Sequence, residues 1–166
     1  RCAEGMRPVT AEDIVILLRS PGSVGIHFQQ ALARHGIRCA AGGGKDLLKS
    51  MEIAILRSLL QTIANPRLDI PLISVLASPI FGFTADDLAC IRANRRNMAV
   101  FDALKASGCE KAEAFLEVLD RLRRTARMCR LTELLEQCFH LTRLDSICAA
   151  MEDGETRSGN LLTFYQ

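Results

Sequence analysis

The sequence predicts a mainly α chain, a helical domain preceded by a small βαβ piece, and three observations carry the prediction. Two short apolar runs, Asp13–Arg19 and Ile37–Ala41, flank a stretch of helical periodicity. A glycine triplet, Gly42-Gly43-Gly44, then breaks the composition. Beyond it, apolar residues recur at three- and four-residue steps to the end. The expected organisation is residues 1–42 as the βαβ piece and residues 43–166 as the helical domain.

Element by element, Asp13-Ile14-Val15-Ile16-Leu17-Leu18-Arg19 is rich in β-branched residues and reads as a buried strand broken by Ser20-Pro21-Gly22-Ser23. Ser23 can cap a helix to about Arg34, with Phe28, Ala31 and Leu32 on its apolar stripe and Gly36 at its C-terminal turn. Ile37–Ala41 then reads as a second, parallel strand. Two strands do not make a stable sheet alone, so the piece is expected to be completed by sequence absent here. Next, Leu48, Met51, Ile55, Leu56, Leu59, Leu60 and Ile63 form a wide apolar helix face stopped at Asn65-Pro66. Asp69 reads as the cap of a short helix ending at Ser78-Pro79, and Thr84 with Asp87 as a capping box for the next. Helices are further expected over residues 98–107, 109–128, 131–141 and 143–151, followed by Gly154 and a last segment through Phe164.

Composition narrows the function classes. The chain has 166 residues, 49% hydrophobic and 24% charged, as in soluble globular domains, and net charge is only +2. Nucleic-acid binding would need a local basic patch. Aromatics are 5% with no Trp, which argues against a base-stacking platform. The seven cysteines lack zinc-type or thioredoxin-type spacing. Cys39, Cys90, Cys138 and Cys148 fall in apolar stretches and read as core residues of a chain in a reducing, cytoplasmic setting. No apolar run reaches transmembrane length, so no membrane partner is expected. The opening residues have no signal-peptide core, and the chain reads as an excised piece of something longer.

Four constellations bear on chemistry. Gly42-Gly43-Gly44-Lys45 lacks the Ser or Thr and the first glycine of a nucleotide-cradling loop, and reads as a crossing loop with Lys45 as a candidate DNA-phosphate contact. Gly82-Phe83-Thr84 precedes a helix N-terminus, where backbone amides can meet phosphate, with Arg92, Arg95 and Arg96 close behind to add charge. In the densest basic run, Glu117 and Asp120 sit four residues before Arg121 and Arg124, leaving Arg127 and Arg130 as the better phosphate candidates. Glu52 lies on an apolar helix face and needs a partner if buried. Arg19 or Arg57 could supply it, and an Arg19–Glu52 pair would tie the βαβ piece to the helices. No catalytic triad or metal-ligand pattern is readable.

Taken in order, Asp13–Ser20, Gly36-Ile37, Gly43-Gly44, Glu52-Ile53, Asn65-Pro66 and Ser78–Thr84 resemble the C-terminal part of UvrD/Rep-type superfamily 1 DNA helicases. The stretches Asn65–Leu72 and Val75–Pro79 look most like the AddA branch, the ATP-dependent helicase–nucleases of many bacteria. Arg157-Ser158-Gly159-Asn160-Leu161 resembles that family's Arg-x-x-Asn-Leu segment. The resemblance implies that residues 1–42 belong to a RecA-like motor domain, 2A, and residues 43–166 to the inserted helical domain 2B. It implies weak, sequence-independent contact of 2B with duplex DNA, the glycine-centred turn falling on Gly82, Phe83 and Thr84. Here Thr84 replaces a glycine of that turn. It also implies a parent acting in double-strand-break repair and recombination, with ATP, magnesium, other motor domains and an AddB-type partner. The family's ATP-binding loop and nuclease motif have no match in these residues, so no cofactor and no catalysis are expected of the piece itself. The alternative is a helical module for structure or protein interaction without DNA contact, its unpaired strand edge inviting self-association.

Overall fold

The computed structural model describes residues 7–19, 21–37, 39, 47–93, 95 and 97–165. The chain divides into two compact units, Arg1–Asp46 and Leu47–Gln166.

In the first unit, a 3-10 turn, Ala11–Asp13, is held at its start by the Asp13 carboxylate. That carboxylate accepts from Arg7 Nη2 at 2.6 Å and from the amide and hydroxyl of Thr10, each at 2.9 Å. Helix α1, Pro21–Arg34, starts two residues before Ser23, with proline in the first turn where its missing N–H costs nothing. It closes as the glycine predicts: Gly36 sits at φ 72°, the Ile37 amide donates to Leu32 O and the Gly36 amide to Ala33 O, both at 3.0 Å.

The strands of the predicted βαβ piece are not seen, and the described residues contain no strand. Ile14 is extended (φ −105°, ψ 123°), yet the run it starts joins no ladder. Ile14, Val15 and Leu17 are 64%, 76% and 90% exposed. A strand is made by its neighbour's N–H and C=O groups, and an apolar run does not supply them. Most of the second expected strand, including Arg38, Ala40 and Ala41, lies outside the described residues.

The second unit is helical throughout its described residues. After a 3-10 turn, Leu47–Lys49, come α2 (Met51–Ala64), α3 (Asp69–Leu76), α4 (Ala85–Ala93), α5 (Val100–Lys105) and α6 (Glu110–Ala126). Helices α7 (Leu131–Thr142), α8 (Leu144–Ala150) and α9 (Gly154–Tyr165) complete it. Helix α2 is the centre and packs against α3, α6 and α9. It buries Ile55, Leu56, Leu59 and Ile63 of the predicted face and also Ile53, whereas Leu60 is only partly covered and Leu48, just ahead of the helix, and Met51, at its start, are exposed. Phe115, Leu119 and Leu122 of α6 are buried at four- and three-residue steps, and the Phe81 ring meets Phe115 edge-on at 4.9 Å. Each such fully buried side chain contributes about 1.5–3 kcal/mol over its exposed state.

Local chemistry sets the joints. Asp69 is the first residue of α3 and not its cap; its carboxylate accepts the Val100 amide at 3.3 Å and so fixes the start of α5. Arg143, at φ 54°, both ends α7 and starts α8. Gly154 starts α9 against α8 so closely that a Cβ there would lie 2.1 Å from the Ala149 carbonyl oxygen.

Candidate nucleic-acid interface

The turn between α3 and α4 follows from Ser78, whose buried hydroxyl donates to Val75 O at 2.6 Å. Ser78 O in turn accepts the amides of Phe81 and Gly82, and the Phe83 amide donates to Leu76 O at 3.0 Å. Gly82 takes φ 61°, a left-handed conformation that favours glycine. The Phe83 ring is buried. Thr84 and Asp87 form the predicted capping box: the Thr84 amide donates to Asp87 at 2.9 Å and the Asp87 amide to Thr84 Oγ1 at 3.1 Å.

Lys111, on α6, was not singled out by the sequence. Its Nζ donates to Asp87 at 2.9 Å and to Gly82 O at 3.3 Å, and stands 5.8 Å from the Phe83 ring centroid. The Thr84 amide, together with Lys111 and the Thr84 hydroxyl, holds the Asp87 carboxyl down to about 2. The amides of Gly82, Phe83 and Thr84 are therefore all donated within the chain, and the α4 N-terminus already carries Asp86 and Asp87.

Two predicted arginines are likewise occupied. Arg92 donates to the carbonyls of Met98 and Arg95, and Arg95 to Ala106 O at 2.8 Å. They satisfy backbone oxygens in the α4–α5 connection and at the end of α5. Lys45 and Arg96 lie outside the described residues.

The joint between α6 and α7 is different. Asp120 and Arg124 form the expected pair at 3.0 Å, both largely in solvent, whereas no Glu117–Arg121 bridge forms. Arg127 follows the end of α6 and Arg130 precedes α7; both are exposed, and neither guanidinium has an acid partner among the described residues. Among the described residues of the predicted set, theirs is the positive charge left available to a phosphate.

Glu52 is buried, as its place on α2 requires, but its partners come from α9. Arg157 Nη1 reaches Glu52 Oε2 at 3.0 Å and Asn160 Nδ2 reaches Oε1 at 2.6 Å. Arg157 Nε also donates to Glu152 O at 2.8 Å. These contacts correct the Arg19–Glu52 expectation: both carboxylate oxygens are taken by side chains one helical turn apart on α9. Burial pushes the Glu52 carboxyl up, but the Asn160 amide, local hydrogen bonds and Arg157 together outweigh it and hold it below its usual range.

Of the cysteines read as core residues, Cys138 and Cys148 are buried, and burial pushes the Cys138 thiol up to about 12. Cys39 and Cys90 are exposed, which corrects the core reading for these two. Among the described residues, no three His, Cys, Asp or Glu side chains converge as a metal site. No described helix is long and apolar enough to cross a membrane.

Comparison with known proteins agrees with the ordered motifs. Residues 6–152 match the UvrD-like helicase C-terminal domain family. The chain is 40% identical over 167 aligned residues to the A-type subunit of the ATP-dependent helicase/nuclease of Acetivibrio thermocellus, covering 96% of this chain and 13% of that protein. It is 37% identical to the protein of the same description in Ruminiclostridium cellulolyticum, again over 96% of this chain and 13% of the relative. To that of Lactobacillus acidophilus it is 32% identical, over 97% of this chain and 14% of the relative. The chain thus spans about one seventh of the length of these relatives.

Proposed function

The chain belongs to the UvrD-like helicase C-terminal domain family, and on that premise we propose that it is a piece of an AddA-type, ATP-dependent DNA helicase–nuclease whose helical unit contacts duplex DNA. In this reading residues 43–166 are most of domain 2B, and residues 1–42 are an edge of the RecA-like 2A domain. The exposed run Ile14–Leu17 then pairs with strands of the parent motor, consistent with its lack of cover here. ATP and magnesium serve the parent, as do its remaining motor domains and an AddB-type partner. Its place is the bacterial cytoplasm, in repair and recombination. The piece performs no catalysis of its own.

The observation that carries the DNA contact is the pair of exposed arginines at the α6–α7 joint, Arg127 and Arg130, whose guanidiniums have no acid partner among the described residues, although Glu133 accepts the Arg130 backbone amide at 3.3 Å. Such charges give weak, sequence-independent affinity by releasing counterions from the duplex. Lys45 and the turn at Gly82, Phe83 and Thr84, with Arg92, Arg95 and Arg96, are secondary in this proposal. The turn's amides and the guanidiniums of Arg92 and Arg95 already have partners.

Titrating the 166-residue chain into a fluorescent DNA hairpin with a single-stranded tail tests the proposal. Binding should be seen near ~50 mM salt and weaken strongly by ~200 mM. Arg127→Glu with Arg130→Glu should weaken it at least ~10-fold. No binding at low salt would contradict the DNA contact and favour the second reading, a structural or protein-interaction module, which the internally satisfied Gly82 turn supports.

A further inference from the structure

A shallow groove of about 390 Å³ is lined by residues of α2, α6 and α7. Its lining is mostly aliphatic: Leu60 and Ile63 come from α2, Ala126 from α6, and Leu131 and Leu134 from α7. Leu60 is only partly covered, Leu131 is 63% exposed, and Met128, in the loop between α6 and α7, is 92% exposed. Arg123 and Arg127 also line the groove, and no acidic residue does. Neither arginine has an acid partner among the described residues. Phosphates and sugars of a duplex could meet the guanidiniums but would leave the aliphatic lining unfilled.

We propose that this groove docks an amphipathic, acidic helix of another polypeptide; it shares Arg127 with the DNA reading but not Arg130, and its aliphatic lining has no part in that reading. Aliphatic side chains of that helix fill the space between Leu60, Ile63 and Leu131. Two carboxylates one turn apart meet Arg123 and Arg127, which are themselves four residues apart and so about one turn apart on α6 and its cap. Partner chemistry follows from the groove: apolar knobs answer apolar walls, and a negative flank answers unpaired positive charge. A neutral or basic helix would leave the arginines unsatisfied or repelled.

The probe is a fluorescein-labelled helical peptide with leucines along one face and glutamates spaced four residues apart on its flank. A second peptide carries lysines in place of the glutamates. The acidic peptide should bind the 166-residue chain at least ~10-fold more tightly than the basic one. Leu131→Gln should weaken it ~10-fold or more while leaving hairpin affinity unchanged, since no charge is altered. Leu131 is exposed in the first turn of α7, and glutamine is a good helix former, so the fold should survive. Arg123→Glu should weaken the acidic peptide, and Arg130→Glu the hairpin alone. Equal binding of both peptides, no binding of either up to ~1 mM, or an acidic-peptide affinity indifferent to Leu131→Gln would overturn the proposal. Loss of hairpin binding alone on Leu131→Gln would assign the groove to DNA and overturn it too.

Discussion

Glu52 shows how one residue can be legible and its partner not. A carboxylate on the apolar face of α2 has to be paired, and that much follows from the pattern alone. The partners lie more than a hundred positions away, and helical periodicity says nothing about contacts at that range. The clue was the Arg157-x-x-Asn160 spacing, which puts two donors on one face of α9. Arg157→Met should destabilise the second unit by about 2–4 kcal/mol, because it leaves a buried carboxylate without its cation, and calorimetry reads this as a fall of roughly 10 °C in Tm. Adding Glu52→Leu to Arg157→Met should recover part of the loss.

The acid limb of stability follows from the same residue. Because the folded Glu52 carboxyl lies below its ordinary value, its contribution is complete above that ordinary value and is lost as pH falls through the folded one. Asp87, held at about 2, behaves likewise over the interval from 3.8 downward. Arg157→Met should shrink the part of the acid loss that comes from Glu52, because it moves the folded carboxyl back toward its ordinary value; urea unfolding between about pH 3 and pH 7 should show a shallower fall of stability with acid in the variant.

Helices such as α2, α6 and α7 were legible as amphipathic segments, and breaks at Pro66 after α2, Gly108 before α6 and Gly154 at α9 marked the bounds. Their joints were less so. Asp69 looks like a cap and instead holds α5, and Arg143 takes a left-handed conformation that no turn residue announces. Arg143→Gly should therefore stabilise the chain by up to about 1 kcal/mol, since it relieves the left-handed strain at an exposed position. Gly154→Ala should do the opposite, because its Cβ has no room beside the Ala149 carbonyl and α8 and α9 must separate. Thermal unfolding of the two variants distinguishes them by sign. The βαβ expectation failed at this scale too. A β-branched apolar run marks residues that could form a strand, while the strand itself depends on a neighbour that residues 7–19 do not meet among the described residues.

At the scale of the molecule, the buried residues among those described all belong to the second unit, which packs α2 against α3, α6 and α9. A chain of residues 47–166 should therefore unfold cooperatively with a Tm close to that of the full chain. The candidate DNA-contact set was legible as residue types but not as available charge. Sequence spacing finds arginines, while only coordinates show that Arg92 and Arg95 are committed to carbonyls and that Arg127 and Arg130 face solvent without an acid.

The salt dependence of hairpin binding, wild type against Arg127→Glu/Arg130→Glu, tests the DNA contact most directly. A linear fall of log K with log salt is expected, with a slope shallower by about 2 in the double variant. Identical slopes for the two proteins would contradict it.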